Sequence, residues 1–241
     1  MQRVLTPELI DDPDVADAEL RESLAFIRAV NRRLGGAEAL LGRLRRWSAR
    51  WPRGETIRLI DVGTGSADIP LACVRWARGA RHDLRVTAVD VHPKTLAAAR
   101  EHLAEDPEAA ERIELVQADA RQLMDHYEPR QFHYAHAGMF LHHLPEIEVL
   151  TVLRIMHRLS SAGIVWNDLL RSPMVYAATH LMTARMPEMV RHDARVSVRA
   201  AFSRRDAADV ARRVGLDYCR VRVHRLQGRI VVAGEKPGAW T

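Results

Sequence analysis

Apolar residues along this chain recur with two different periods, and the change between them divides the sequence. Leu20, Leu24, Ile27, Val30 and Leu34 return every three or four positions, the spacing of one helix face, with Asp14 placed to cap its start. Gly35-Gly36 breaks that run. Residues 37–47 repeat the helical spacing through Leu40, Leu41, Leu44 and Trp47, and Trp51-Pro52-Arg53-Gly54 then reads as a linker. Beyond it the apolar runs become short and continuous, as buried strands require: 58–62, 85–89, 113–116, 132–139 and 163–166. Helical patterns fall between them, through Leu71, Val74 and Trp76, from His92-Pro93 to Leu103, and from Pro145 to Leu159. Ser203 caps a last helix over 204–214, and 217–225 with 229–233 read as a hairpin around Gln227-Gly228. Strands alternating with helices predict a doubly wound α/β sheet.

The chemistry gathers where strands end. Asp61-Val62-Gly63-Thr64-Gly65 closes the first strand with a glycine turn, and Ser66 or Asp68 can cap the helix that follows. Strand, glycine turn and helix N-terminus are the parts from which an open sheet builds a nucleotide pocket. A dinucleotide site needs G-x-G-x-x-G or A and a pyrophosphate on the helix N-terminus. Here Asp68 stands at the third position and Asp61 just before the glycines, and two carboxylates would repel a pyrophosphate. They suit a ligand with positive charge at that end, an ammonium or a sulfonium; the alternative is an ordinary strand-to-helix turn. Asp90 ends the second strand, where such sites bind ribose hydroxyls, and Asp119 follows the third, placed to accept from an adenine amino group.

The ordered set Asp-Val-Gly-Thr-Gly (61–65), Val-Asp (89–90), Ala-Asp-Ala (118–120), Leu-His-His-Leu (141–144) and Asn-Asp-Leu (167–169) resembles a class I S-adenosylmethionine-dependent methyltransferase of the small-molecule type, over about residues 55 to 235. The resemblance implies a Rossmann-like, doubly wound seven-stranded sheet, mostly parallel with an antiparallel last strand, carrying an N-terminal helical cap. It divides the chain into a cap, 1–54, and a methyltransferase domain, 55–241, with a cap insertion at about 170–202. It implies S-adenosyl-L-methionine as cofactor, with Asp61, Gly63 and Gly65 on the methionine part, Asp90 on the ribose, and Asp119 with Ala120 on the adenine. Thr64, Asp68, Val91, Ala137 and Gly138 are counted in the same site. Two positions depart from the family pattern: Ala67-Asp68 replaces a third glycine, and His133 stands where many members open the fourth strand with Asp.

Methyl transfer to a phenol or enol also needs a proton removed, and a neutral histidine is the natural base. His142 and His143, directly after the fourth strand, are the first candidates, with His192 beside Asp193 a third. The insertion holds Met174, Met182, Met186 and Met189, which suit either an adaptable apolar acceptor pocket or the buried face of a cap helix. The expected function is O-methylation of an aromatic or polyketide-like hydroxyl in specialised metabolism. C- or N-methylation of a small molecule, or a non-catalytic partner subunit that keeps the cofactor, are the alternatives. The histidines and acids show no spacing of known metal sites, so no metal is expected.

Composition narrows this only at the edges. With 241 residues, 47% of them apolar, the chain can bury one large core with a small cap. Of the 36 basic residues only Lys94 and Lys236 are lysine. An arginine excess can mark phosphate recognition, but the accompanying alanine richness favours codon bias. Aromatics are few and not interleaved with basic runs, so no nucleic acid is expected as partner. RNA base methylation lacks its signatures as well: no basic face, no catalytic cysteine motif, no Asn/Asp-Pro-Pro-aromatic sequence. Cys73 and Cys219 read as free thiols of a reducing compartment. No window is apolar enough for a signal peptide core or a membrane span, and the expected location is cytoplasmic. The helical pair is expected across the pocket mouth, at a sheet edge or in a homodimer contact.

Overall fold

The computed structural model describes residues 1–240. Its centre is a seven-stranded sheet in the order β3-β2-β1-β4-β5-β7-β6. The strands are β1 (Thr56–Val62), β2 (Asp83–Asp90), β3 (Ile113–Gln117), β4 (Phe132–Gly138), β5 (Ser160–Leu169), β6 (Arg220–His224) and β7 (Arg229–Glu235). β1 to β5 pair in parallel, and β7 is inserted antiparallel between β5 and β6. Alternate residues of β1 serve the two faces: Ile57 and Leu59 enter one core, Ile60 and Val62 the other. On the first face lie α2 (Gly36–Trp47), α3 (Asp68–Gly79) and α4 (Pro93–Leu103); on the second lie α6 (Glu146–Leu159) and α9 (Arg204–Arg213). A single turn, α5 (Pro107–Ala110), precedes β3.

The predicted elements are found with shifted ends. The first helix, α1 (Asp17–Arg33), starts after Ala16 rather than at an Asp14 cap, and Gly35 at φ 76° turns the chain into α2. α3 follows Ala67 in the left-handed conformation, with neither Ser66 nor Asp68 capping it by side chain. Ser203 and Asp206 form a reciprocal capping box on α9. The insertion, irregular in sequence, is two helices, α7 (Pro173–Thr183) and α8 (Glu188–Ala200), closed at the base by a bridge between Leu170 and Phe202. No helix among the described residues is long and apolar enough to cross a membrane.

Candidate functional site

One cavity of about 470 Å³ opens over the carboxyl ends of β1, β2 and β4. Its floor is the glycine turn. Gly63 sits at φ 69°, and a Cβ there would fall 2.4 Å from Cγ of Phe140, so only glycine fits by both angle and space. The amide of Thr64 donates to Val89 O at 2.9 Å, and its hydroxyl donates to Asp61 Oδ2 at 2.7 Å, tying the turn to β2 and β1. The amides of Gly65 and His92 then donate to the two oxygens of Asp90, at 2.9 and 3.1 Å. The Asp90 carboxyl is thereby fixed facing the cavity. Burial pushes it above the usual carboxylate range, the two amides opposing only in part. Asp68 is raised by the same cause, although Asn31 donates to it at 3.2 Å.

Asp61 is engaged on both oxygens, since Oδ1 also meets His136 Nδ1 at 2.5 Å. It braces the turn and also lines the cavity. His136 Nε2 and Ser66 Oγ, both buried, have no hydrogen-bond partner, and both residues line the cavity. Such orphaned polar atoms are costly unless something completes them. At the rim Val91 is half exposed, and Asp119 is clamped by Arg121 through Nε at 2.9 Å, which holds its carboxyl below the usual range. Ala120 and Gly138 complete this side, whereas the Ala137 side chain points into the core and does not line the cavity.

The roof comes from distant sequence. Leu24, Ile27 and Val30 of α1 with Leu34 just after it, Val175 and Met182 of α7, and Val190 and Val198 of α8 face the cavity. Of the four insertion methionines only Met182 lines it, and Met189 is buried elsewhere. The N-terminal segment lies across this end, pinned where Asp193 accepts from the amides of Leu9 and Ile10 at 2.8 and 3.0 Å. Arg3 adds contacts to Ala200 O and Leu144 O, at 2.6 and 2.9 Å.

That segment carries Glu8 and Asp11 to the predicted histidines. His142 Nδ1 meets Asp168 Oδ1 at 2.6 Å and His143 Nδ1 meets Asp11 Oδ2 at 2.8 Å. Both Nε2 atoms face Glu8 Oε1, at 3.4 and 3.8 Å. Burial alone would lower both imidazoles, but the carboxylates outweigh it: Asp168 and Glu8 push His142 up to about 10, and Glu8 with Asp11 raises His143. Burial likewise would raise Glu8, Asp11 and Asp168, and the histidines hold all three below the usual range. The expected free neutral imidazole is therefore replaced by an ion network. His192 stands apart: it contacts Asp193 at 3.0 Å, as its position suggested, but does not line the cavity.

Several residues here escaped sequence reasoning. Glu8 and Asp11 belong to an acidic stretch that resembles any solvated terminus. Arg229 is 1% exposed and donates to Leu34 O at 2.7 Å, Asn31 Oδ1 at 3.1 Å and Asn167 Oδ1 at 3.4 Å. Burial pushes its guanidinium down to about 10, against the pull of Asp168 and Asp68. Its signal was an arginine opening the apolar run Ile-Val-Val-Ala, as His136 was a histidine inside an apolar strand.

Residues 59–163 match the family model described as a methyltransferase domain. No protein of curated function matches the sequence. Among solved structures, a candidate S-adenosyl-L-methionine-dependent methyltransferase of Methanococcus maripaludis aligns at 14% identity and TM-score 0.63, covering 97% of this chain and 96% of that one. A methyltransferase of the same cofactor class from Aquifex aeolicus aligns at 13% identity and TM-score 0.62, over 92% and 99% of the two chains. Magnesium protoporphyrin IX methyltransferase from Synechocystis, with bound S-adenosylhomocysteine, aligns at 10% and 0.59, over 93% and 90%. Residues 59–163 thus carry the sequence pattern of a methyltransferase domain, on a fold shared with structures described as S-adenosylmethionine-dependent methyltransferases.

Proposed function

We propose that this enzyme methylates a hydroxyl oxygen of a small apolar acceptor, aromatic or polyketide-like. The supporting observation is that one cavity joins the glycine-turn floor to the Glu8–His142–His143 cluster through walls of Leu, Ile, Val and Met. Bound, S-adenosylmethionine supplies an electrophilic methyl on a sulfonium.

The residues divide the work. Asp90 accepts from ribose hydroxyls, Val91 and Ala120 flank the adenine, and Asp119 stands at its rim. Gly63, Thr64 and Gly65 let backbone approach the amino-acid end, where Asp68 and the acceptor Nε2 of His136 meet the ammonium and the Ser66 hydroxyl donates to the carboxylate. The fit rests on Asp90, fixed by two amides, and on the orphaned Ser66 Oγ and His136 Nε2. α1 and the insertion act as covers that exclude water and align the acceptor oxygen. As that oxygen gains a methyl it surrenders its proton to the carboxylate of Glu8, which the imidazoles of His142 and His143 hold in place.

The test is transfer of labelled methyl to a panel of phenols and polyketide enols. O-methyl product from wild type is expected, with turnover in Glu8→Gln reduced about 10²–10⁴-fold, the range of positioned acid–base groups, while S-adenosylhomocysteine affinity stays within about threefold. Product methylated only on carbon or nitrogen would overturn the oxygen assignment. Cofactor binding with no product from any acceptor would favour a non-catalytic partner subunit.

A further inference from the structure

We propose that Glu8, His142 and His143 form a binding site for one first-row divalent transition-metal ion at the acceptor end of the cavity. Their three donor atoms lie within 4.8 Å of one another, and both imidazole Nε2 atoms converge on one carboxylate oxygen. Tetrahedral ligands about 2.0–2.1 Å from a Zn²⁺ stand about 3.3–3.5 Å apart. The Glu8 to His142 separation of 3.4 Å already meets that, and the 3.8 Å to His143 needs only side-chain rotation.

What lies behind the donors points the same way. Each histidine gives its other ring nitrogen to a carboxylate, Asp168 at 2.6 Å and Asp11 at 2.8 Å. That pairing keeps Nδ1 on its carboxylate and orients each ring, so that the metal displaces the Nε2 proton and takes that nitrogen, and it raises ligand basicity. The second shell is itself held: Asp168 accepts from the Leu169 amide at 2.8 Å and from Trp166 Nε1 at 3.3 Å. Glu8 accepts from the Ser197 hydroxyl at 2.5 Å. A chance ion pair has no need of this depth of support.

Two imidazoles and one carboxylate select the ion. Mg²⁺ and Ca²⁺ favour oxygen ligands, whereas imidazole suits Zn²⁺, Fe²⁺ and Co²⁺. All three ligands line the cavity, so the remaining coordination positions face the acceptor. There an ion would lower the pKa of a hydroxyl oxygen. That role rests on the methyl-transfer reading; the binding of the ion does not. The sequence argued against a metal because the third donor comes from the far N-terminus, with no motif spacing to the histidine pair.

The experiment titrates Zn²⁺ into the full-length protein against a chromophoric chelator, records the visible spectrum with Co²⁺, and measures S-adenosylhomocysteine binding on the same preparations. The expected result is one Zn²⁺ per chain and an intense Co²⁺ band of four or five coordination. Glu8→Gln and His143→Gln should each weaken Zn²⁺ by at least 100-fold, and Asp11→Asn by about 10–100-fold as an outer-shell change. His126→Gln, an exposed histidine, serves as the control for adventitious binding. Zn²⁺ uptake below one per chain, or uptake unchanged in both ligand variants, overturns the proposal. Should the variants fail to fold, a weak six-coordinate Co²⁺ spectrum from wild type overturns it alone. S-adenosylhomocysteine binding without Zn²⁺ binding sinks the metal site and spares the methyltransferase reading; the opposite outcome does the reverse.

Discussion

The floor and the roof of the cavity treat their carboxylates in opposite ways. Asp68 and Asp90 on the floor are raised by burial and make no ion pair. Glu8 and Asp168 at the roof are just as enclosed and Asp11 less so, yet all three are lowered, because each touches a histidine. A buried carboxylate without a cationic partner carries a desolvation cost that a ligand can relieve. The floor is thus a site waiting for donors, and the roof is a network already internally paired. Cofactor affinity should depend on the first and acceptor chemistry on the second.

The largest effect should come from the residue that joins the two. Arg229 on β7 bonds to Leu34 O and Asn31 of α1 and to Asn167 of β5, and Asn31 reaches on to Asp68. Arg229→Met strands these acceptors, an expected loss of about 2–4 kcal/mol in stability, partly offset by removing a buried charge. Urea unfolding measures it, and S-adenosylhomocysteine affinity should fall as well. Lost stability with unchanged cofactor affinity would show that α1 does not report to the floor.

Asp90→Ala breaks the floor alone. Losing a carboxylate that accepts from ligand hydroxyls should cost about 1.5–3 kcal/mol, more than tenfold in affinity by calorimetry. Unfolding should be little affected, since the substitution also removes a desolvated charge. An affinity within twofold of wild type would sink the ribose assignment.

That floor was legible in the sequence and the roof was not, for a reason of chain distance. Asp61, Gly63, Gly65 and Asp90 occupy strand ends, and a strand, a glycine turn and a helix start can be recognised within a few residues. Ten of the eleven expected cofactor residues line the cavity, and Ala137 fails because alternation along β4 turns its side chain to the core. His142 and His143 were found by the same local logic. Their N-terminal partners were not, because Glu8 and Asp11 are brought in by tertiary packing with no periodicity to announce them. Asp61 was found by its adjacency to the glycines, but not the partners that hold it, His136 and Thr64, one on each oxygen.

The roof can be loosened without touching the floor. Asp193 holds the N-terminal segment by accepting two amides, so Asp193→Ala should raise the opening equilibrium of that segment by about 1–2 kcal/mol, about tenfold in hydrogen exchange at Leu9 and Ile10. Acceptor KM should rise with it, while cofactor affinity holds. Unchanged exchange at those two amides would mean that other contacts, such as those of Arg3, carry the segment.

The smallest effect is the most specific to the floor. Because the folded Asp90 carboxyl lies above its unfolded value, the native state without ligand takes up a proton first as pH falls. Stability should therefore decrease as pH rises through the interval between the ordinary aspartate value and the raised one, as the buried group becomes charged. Cofactor binding should run the other way. The carboxylate is the form that accepts hydroxyl donors, so affinity should fall on acidification, starting above the usual carboxylate range and approaching tenfold per pH unit only below the raised value. Calorimetry from neutral pH downward measures this, with Asp90→Ala as reference, since the component due to this residue must vanish there. Asp68, raised by the same cause, would leave a residual slope in that variant. An unaltered slope would assign the proton to Asp68 and make the ammonium end, not the ribose, the pH-sensitive contact of the floor.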